Sequence, residues 1–244
     1  MLGAFDHHRA HGSFTEWAPA DCKKLFPSFS DSLYKDNEIV YQDLPEFANY
    51  KDSTVLIVGG GPSAREIDFD QHDHDYVWSI NHFFKNDKFK NRKIDLAMIM
   101  GEPDIASPEF LEYRDTFNPA IGFEIHDRWQ NYEFDEYKKY FCMHTRFYGR
   151  LGGGARMLAF AAALGCKKAI FTGFDGPEFI FGGDHAFEPG KTTLPSVFQK
   201  MLPGQVGMMW KIQYDYFWEY VQDLYPNVKF QNIGGGDRYH EKIR

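Results

Sequence analysis

Thr54-Val55-Leu56-Ile57-Val58-Gly59-Gly60-Gly61-Pro62-Ser63 decides the fold expected of this chain. The first five residues form a short, unbroken, β-rich apolar run. Such runs suit strands covered on both faces, as in a parallel sheet, rather than strands with one wet face. The glycines, proline and serine then turn the chain into Ala64-Arg65-Glu66-Ile67. Further β-type runs follow at 76–80, 96–100, 120–123, 140–143, 169–172 and 228–231. The segment 155–164 (ARMLAFAAAL) lies between two of them and consists of strong helix formers, closed by Gly165 at the C′ position. A second, aromatic-rich helix is predicted over about 208–224, ended by Pro226. Strands alternating with helices imply an α/β fold, a mostly parallel sheet flanked by helices. One domain over 51–244 carries this pattern. Residues 1–50 show no sustained period and read as an aromatic-rich N-terminal extension that packs on it.

The composition narrows the function classes. The chain has 244 residues, 27 Lys+Arg against 35 Asp+Glu, a net charge of −8, 43% hydrophobic residues and 18% aromatics. That content excludes a disordered chain. Cys22, Cys142 and Cys166 are too few and too scattered for a disulfide scaffold. The acidic balance argues against a nucleic-acid partner. No apolar run approaches the roughly 20 residues a membrane span needs, and MLGAFDHHRAHG at the start has no apolar signal core. A soluble cytoplasmic protein is expected, with no integral membrane segment; a homo-oligomer is compatible with all of this.

In an open α/β sheet, ligands bind beyond the carboxyl ends of the strands. Glycine clusters at 59–61, 152–154 and 234–236 fall at such places, where the backbone can approach a ligand and offer N–H groups to anionic oxygens. The first cluster lacks the third glycine of a dinucleotide fingerprint and the Gly-Lys-Ser/Thr of a P-loop. Pro62 and Ser63 suit the start of a helix, with Ser63 as its cap or as a hydroxyl for a ligand. The second cluster opens the Ala-rich helix, and Arg150 and Arg156 beside it would attract a phosphate or carboxylate, or its small residues simply allow close packing. Asp175, past the 169–172 run, can accept from a ribose or sugar hydroxyl. Asp184 and His185 lie in a Gly-rich loop, and His185 is an acid/base candidate. Asn81 follows the 76–80 run directly. Glu102 and Asp104 offer carboxylates for a divalent ion, whereas Asp95 reads as structural. His7, His8 and His11, like His72 and His74, lack the accompanying ligands of a metal site, so no metal is expected.

The residues 55–63 (VLIVGGGPS) resemble the Gly-x-Gly-Pro-Ser opening of the bacterial lipooligosaccharide sialyltransferase family, and equally a group related to hydroxymethylpterin pyrophosphokinases and flagellin-glycosylation accessory factors. The likeness continues at Ser79-Ile80-Asn81-His82-Phe83-Phe84 and is strongest over 152–187. It implies a single Rossmann-like domain of the GT-A type, binding a CMP-linked nucleotide sugar and a glycan acceptor without an essential metal or other cofactor. Gly60, Gly61 and Ser63 would match residues near the nucleotide phosphates and ribose. Asn81 would match a nucleotide-contacting asparagine, and Gly153, Gly154 and Gly173 the base and ribose lining. Two positions depart from the sialyltransferases: Gly60 stands where asparagine is usual, and Gly153 replaces a serine. Their catalytic histidine has no counterpart in 194–213. His185, His240 or a carboxylate such as Asp175 would serve instead, or the reaction differs. The alternatives are metal-dependent pyrophosphoryl transfer and a non-catalytic nucleotide- or glycan-binding role.

Overall fold

The computed structural model describes residues 47–99, 107–122, 153–175, 185–188, 217–218, 221–222 and 225–234, with backbone alone at 32–35, 38–40, 45–46, 123–124 and 141–144. Nine strands form one sheet there: β1 (Ser32–Lys35), β2 (Glu38–Val40), β3 (Thr54–Val58), β4 (Tyr76–Ile80), β5 (Leu96–Ile99), β6 (Ala120–Glu124), β7 (Phe141–His144), β8 (Lys168–Thr172) and β9 (Lys229–Asn232). Their spatial order is β2-β1-β7-β6-β5-β4-β3-β8-β9. All pairings from β7 across to β9 are parallel. The chain is an α/β protein.

From β3 the chain steps outward through β4, β5, β6 and β7, then returns to lay β8 on the other side of β3. The order of the sheet therefore reverses between β3 and β8. Val58 pairs with Thr172, so the carboxyl ends of these two strands finish level. In open α/β sheets, ligands bind at such a reversal, where the two connections leave in opposite directions.

Both faces of the sheet are covered, which is why the strands need no polar alternation. Val55, Ile57, Trp78, Leu96, Met98 and Phe171 pack beneath the helix Gly153–Ala163, together with Phe47, Phe217 and Trp218. Leu56, Val58, Val77, Ala97, Ile99 and Ile170 face the other way, onto Phe69, Phe83, Phe84, Phe89, Phe110 and Tyr113. Every residue of β3 is buried. Each large aliphatic side chain so covered contributes about 1.5–3 kcal/mol. Among the described residues, aromatic side chains contribute to both layers.

The Gly153–Ala163 helix is buried on all sides, so it carries no polar stripe. It starts two residues earlier than the sequence predicts, taking in Gly153 and Gly154. Gly165 ends it with φ +80, and the N–H groups of Gly165 and Cys166 donate back to the carbonyls of Ala162 and Ala161. The aspartates ahead of two strands are structural: Asp75 accepts the Thr54 N–H at 2.7 Å, and Asp95 the Val77 N–H at 2.9 Å.

Within the expected extension, the sequence predicts no strands, yet β1 and β2 form an antiparallel hairpin joined to β7 at the sheet's edge. Four and three residues are too few to display a period of two. Of the helix predicted over 208–224, positions 217, 218, 221 and 222 are helical and the rest lies outside the described residues, as does 1–31. Among the described residues, no helix is long and apolar enough to cross a membrane.

Candidate functional site

The β3–β8 ladder continues past the ends of its strands. The Gly59 N–H donates to the Thr172 carbonyl at 2.8 Å and the Gly61 N–H to the Gly173 carbonyl at 2.9 Å. These bonds draw the two loops so close that a β-carbon on Gly59 would sit 2.6 Å from the Gly173 oxygen. Gly173 has φ +77 and faces the Gly59 carbonyl in turn. Glycine is required here by contact as well as by dihedral.

Ser63 lies inside the 3-10 turn Pro62–Glu66, with Pro62 at its first position. The cap is Gly61, which has no side chain to offer, so Ser63 is not the cap that the sequence suggests. Its N–H and its hydroxyl both donate to Oδ2 of Asp175, each at 2.9 Å. Ser63 Oγ also accepts the Gly173 N–H at 2.9 Å and lies 3.2 Å from Oγ1 of Thr172. Asp175 is only 6% exposed, and a carboxylate so buried needs donors of this kind. Gly61 packs against the same carboxylate. Gly234, the first residue of the third cluster, packs against Ser63, where a β-carbon would come within 2.5 Å of the hydroxyl oxygen.

A short turn, His185 to Glu188, closes over the first glycine loop. The Ala186 N–H donates to the Gly60 carbonyl at 2.8 Å, and Asn86 Nδ2 donates to the Ala186 carbonyl at 3.0 Å. Arg65 Nη2 reaches the His185 carbonyl at 3.4 Å. The His185 ring lies over Gly60 with Nε2 nearest, leaving no room there for a β-carbon. Its Nδ1 accepts the backbone N–H groups of Phe187 and Glu188, at 3.2 and 3.3 Å. A neutral imidazole has one donor and one acceptor nitrogen, so this ring carries its proton on Nε2. His185 is thereby set as a hydrogen-bond donor over Gly60.

Beside it, His82 is 8% exposed, and its Nδ1 lies 2.6 Å from Oε2 of Glu188. Lys85 Nζ holds the other oxygen of the same carboxylate at 2.8 Å. The two imidazole centroids are 6.2 Å apart. Neither His82 nor Glu188 stands out in the sequence as a site residue. His82 was within reach, being next to Asn81 at the carboxyl end of β4; Glu188 becomes visible only once the fold sets it against His82.

The other expected residues fall around this centre. Asn81 follows β4 with φ +51 and opens the turn Asn81–Lys85. Gly153, Gly154 and Arg156 are buried at the start of their helix. Gly154 abuts the ring of Phe174, so the second glycine cluster meets the Gly173–Asp175 loop through packing. Glu102, Asp104, Arg150, Gly152, Asp184, His240 and the stretch 194–213 lie outside the described residues. Among the described residues, no three His, Cys, Asp or Glu side chains gather as a metal site.

Burial pushes the Cys166 thiol up to about 12 and raises the Tyr50 and Tyr113 phenols. The loops beyond β3 and β8 combine closely packed glycine backbone with a buried carboxylate paired to a serine, and two imidazoles lie beside them. Such a set can hold hydroxyl groups and steady a negative charge that develops on an oxygen. No protein-family model matches the chain, and a search of curated proteins finds no match.

Proposed function

We propose that this protein is a glycosyltransferase-like enzyme with a Rossmann-like, GT-A arrangement, taking a CMP-linked sugar as donor and a glycan as acceptor. The observation that carries this is the convergence of three loops at the β3–β8 reversal: 59–61 with Ser63, 173–175, and the His185–Glu188 turn. The likeness of 55–63 and 152–187 to the sialyltransferases supplies the nucleotide class. Asp175 repels a phosphate and favours hydroxyls, so the nucleoside ribose is assigned to the Asp175–Ser63 side. The phosphate then lies toward Gly60, beneath the Nε2–H of His185. As the bond from the anomeric carbon to the phosphate oxygen breaks, charge grows on that oxygen, and a fixed donor there lowers the barrier.

Calorimetry with CMP and CMP-sialic acid, set against UDP- and GDP-sugars and ATP, tests the proposal with and without magnesium. Cytidine ligands are expected to bind best, with little effect of the ion. Strict magnesium dependence with a preference for ATP overturns it in favour of pyrophosphoryl transfer. The absence of any nucleotide binding removes it altogether.

A further inference from the structure

We propose that Glu188 holds His82 and His185 in opposite tautomers, which makes them a proton-accepting and a hydrogen-donating pair at one strand edge. The two halves of Glu188 act differently. Its backbone N–H donates, together with that of Phe187, to Nδ1 of His185, which in the neutral ring leaves the proton on Nε2. Its carboxylate, which can only accept, lies 2.6 Å from Nδ1 of His82 and so keeps a proton there. In the neutral ring of His82, the lone pair is then on Nε2. An imidazole oriented by a carboxylate through one nitrogen and basic at the other is a recurring proton acceptor. Lys85 Nζ holds the second carboxylate oxygen at 2.8 Å. Among the described residues, the charged groups in contact with this pair include Glu188, Lys85 and, through its guanidinium on the His185 carbonyl, Arg65.

The consequence for chemistry rests on the transferase reading above. The acceptor hydroxyl oxygen forms its bond to the anomeric carbon as the bond from that carbon to the phosphate oxygen breaks. The hydroxyl proton passes to Nε2 of His82. The electron pair of the broken bond stays on the phosphate oxygen, against the Nε2–H of His185. Glu188 positions His82 through its carboxylate and shares the positioning of His185 with the backbone N–H of Phe187.

The full chain, labelled with nitrogen-15, tests this through the ring nitrogen shifts, recorded at a pH where both rings are neutral and assigned with His82→Asn and His185→Asn. His82 is expected as the Nδ1–H form and His185 as the Nε2–H form. Glu188→Ala removes the carboxylate but keeps the backbone N–H, so His82 loses its tautomer bias while His185 keeps its own. Should the alanine variant not fold, Glu188→Gln keeps only a neutral acceptor, so it is expected to weaken the bias of His82 and leave that of His185 unchanged. Both rings in one tautomer, or both rings changing alike on substitution, overturns the proposal. Adding CMP separates it from the transferase reading. Ring shifts that respond to CMP support that reading; the expected tautomers with no response to CMP leave the pair standing and remove the nucleotide.

Discussion

Ser63 gives both its backbone N–H and its hydroxyl to a single oxygen of Asp175, across 112 residues of chain. The carboxylate thus does for the Pro62–Glu66 turn what a cap would do, and it locks the loop after β3 to the loop after β8. Asp175→Ala removes the acceptor from two partly buried donors, of which the hydroxyl can turn to Thr172 Oγ1, at a cost of about 1.5–3 kcal/mol. Asp175→Asn keeps one neutral acceptor and is expected to lose roughly half as much. Urea unfolding of the two variants checks the order. Equal losses would show that packing, not the shared oxygen, holds the loops.

Gly165 and Gly173 make a matched pair for separating backbone strain from crowding. Both have positive φ, at +80 and +77. Around Gly165 the nearest atom to an added β-carbon is in the Lys51 side chain at 3.5 Å, an ordinary contact, whereas Gly173 faces the Gly59 backbone. Gly165→Ala should therefore cost about 1 kcal/mol, the strain alone. Gly173→Ala adds overpacking against a backbone that cannot move without breaking the Gly61–Gly173 bond, raising the loss by a further ~1–3 kcal/mol. The difference between their urea midpoints reads the closeness of the two loops.

The core predicts loss of stability in alkali. Burial holds Cys166 as a thiol, its ordinary value of 9.0 raised to about 12, and Tyr50 and Tyr113 as phenols raised above their ordinary 10.0. A folded-state value above the unfolded one favours the protonated form in the fold. The contribution is complete below pH 9 for the thiol and below pH 10 for the phenols, and it is lost as pH rises through those values toward the folded ones. Each pH unit crossed by one such group removes at most ~1.4 kcal/mol. The melting temperature should be level to about pH 9 and then fall. In Cys166→Ala, the fall should begin nearer pH 10. An unchanged onset would place the effect elsewhere.

Much of the architecture was legible because β3, with its residues buried on both faces, must be apolar throughout, and because glycines mark where its end meets another loop. Asp175 and His185 could be singled out because both lie in the stretch that follows β8. The role of Ser63 was not, since a proline followed by serine reads as a helix start. Only the partner loop shows that a carboxylate has taken the serine's donors. The first turn of the Gly153–Ala163 helix was hidden because Gly153 and Gly154 are poor helix formers, and Gly154 is needed where Phe174 presses against it. The pairing of His82 with Glu188 depends on two distant turns meeting at one edge, which no local pattern encodes. The hairpin of β1 and β2 was too short to announce itself.

Gly60 offers the sharpest separation of site from scaffold. A β-carbon there meets the imidazole of His185, the end of a side chain on a short turn, whereas one on Gly61 meets the buried carboxylate of Asp175. The imidazole is held by two longer bonds, at 3.2 and 3.3 Å, and can shift at less cost than a carboxylate held by two bonds at 2.9 Å, beside which a β-carbon on Gly61 would also meet the Gly173 carbonyl. Gly60→Ala is therefore expected to keep its urea midpoint within about 1 kcal/mol of the native protein, while Gly61→Ala falls by about 2–3 kcal/mol. If His185 donates to the donor phosphate, Gly60→Ala also displaces that donor, and CMP affinity drops about tenfold, near 1.4 kcal/mol. His185→Ala should lower CMP affinity to the same degree, and the double variant no further, because both changes remove one contact. Additive losses in the double variant would mean that Gly60 and His185 meet the nucleotide independently.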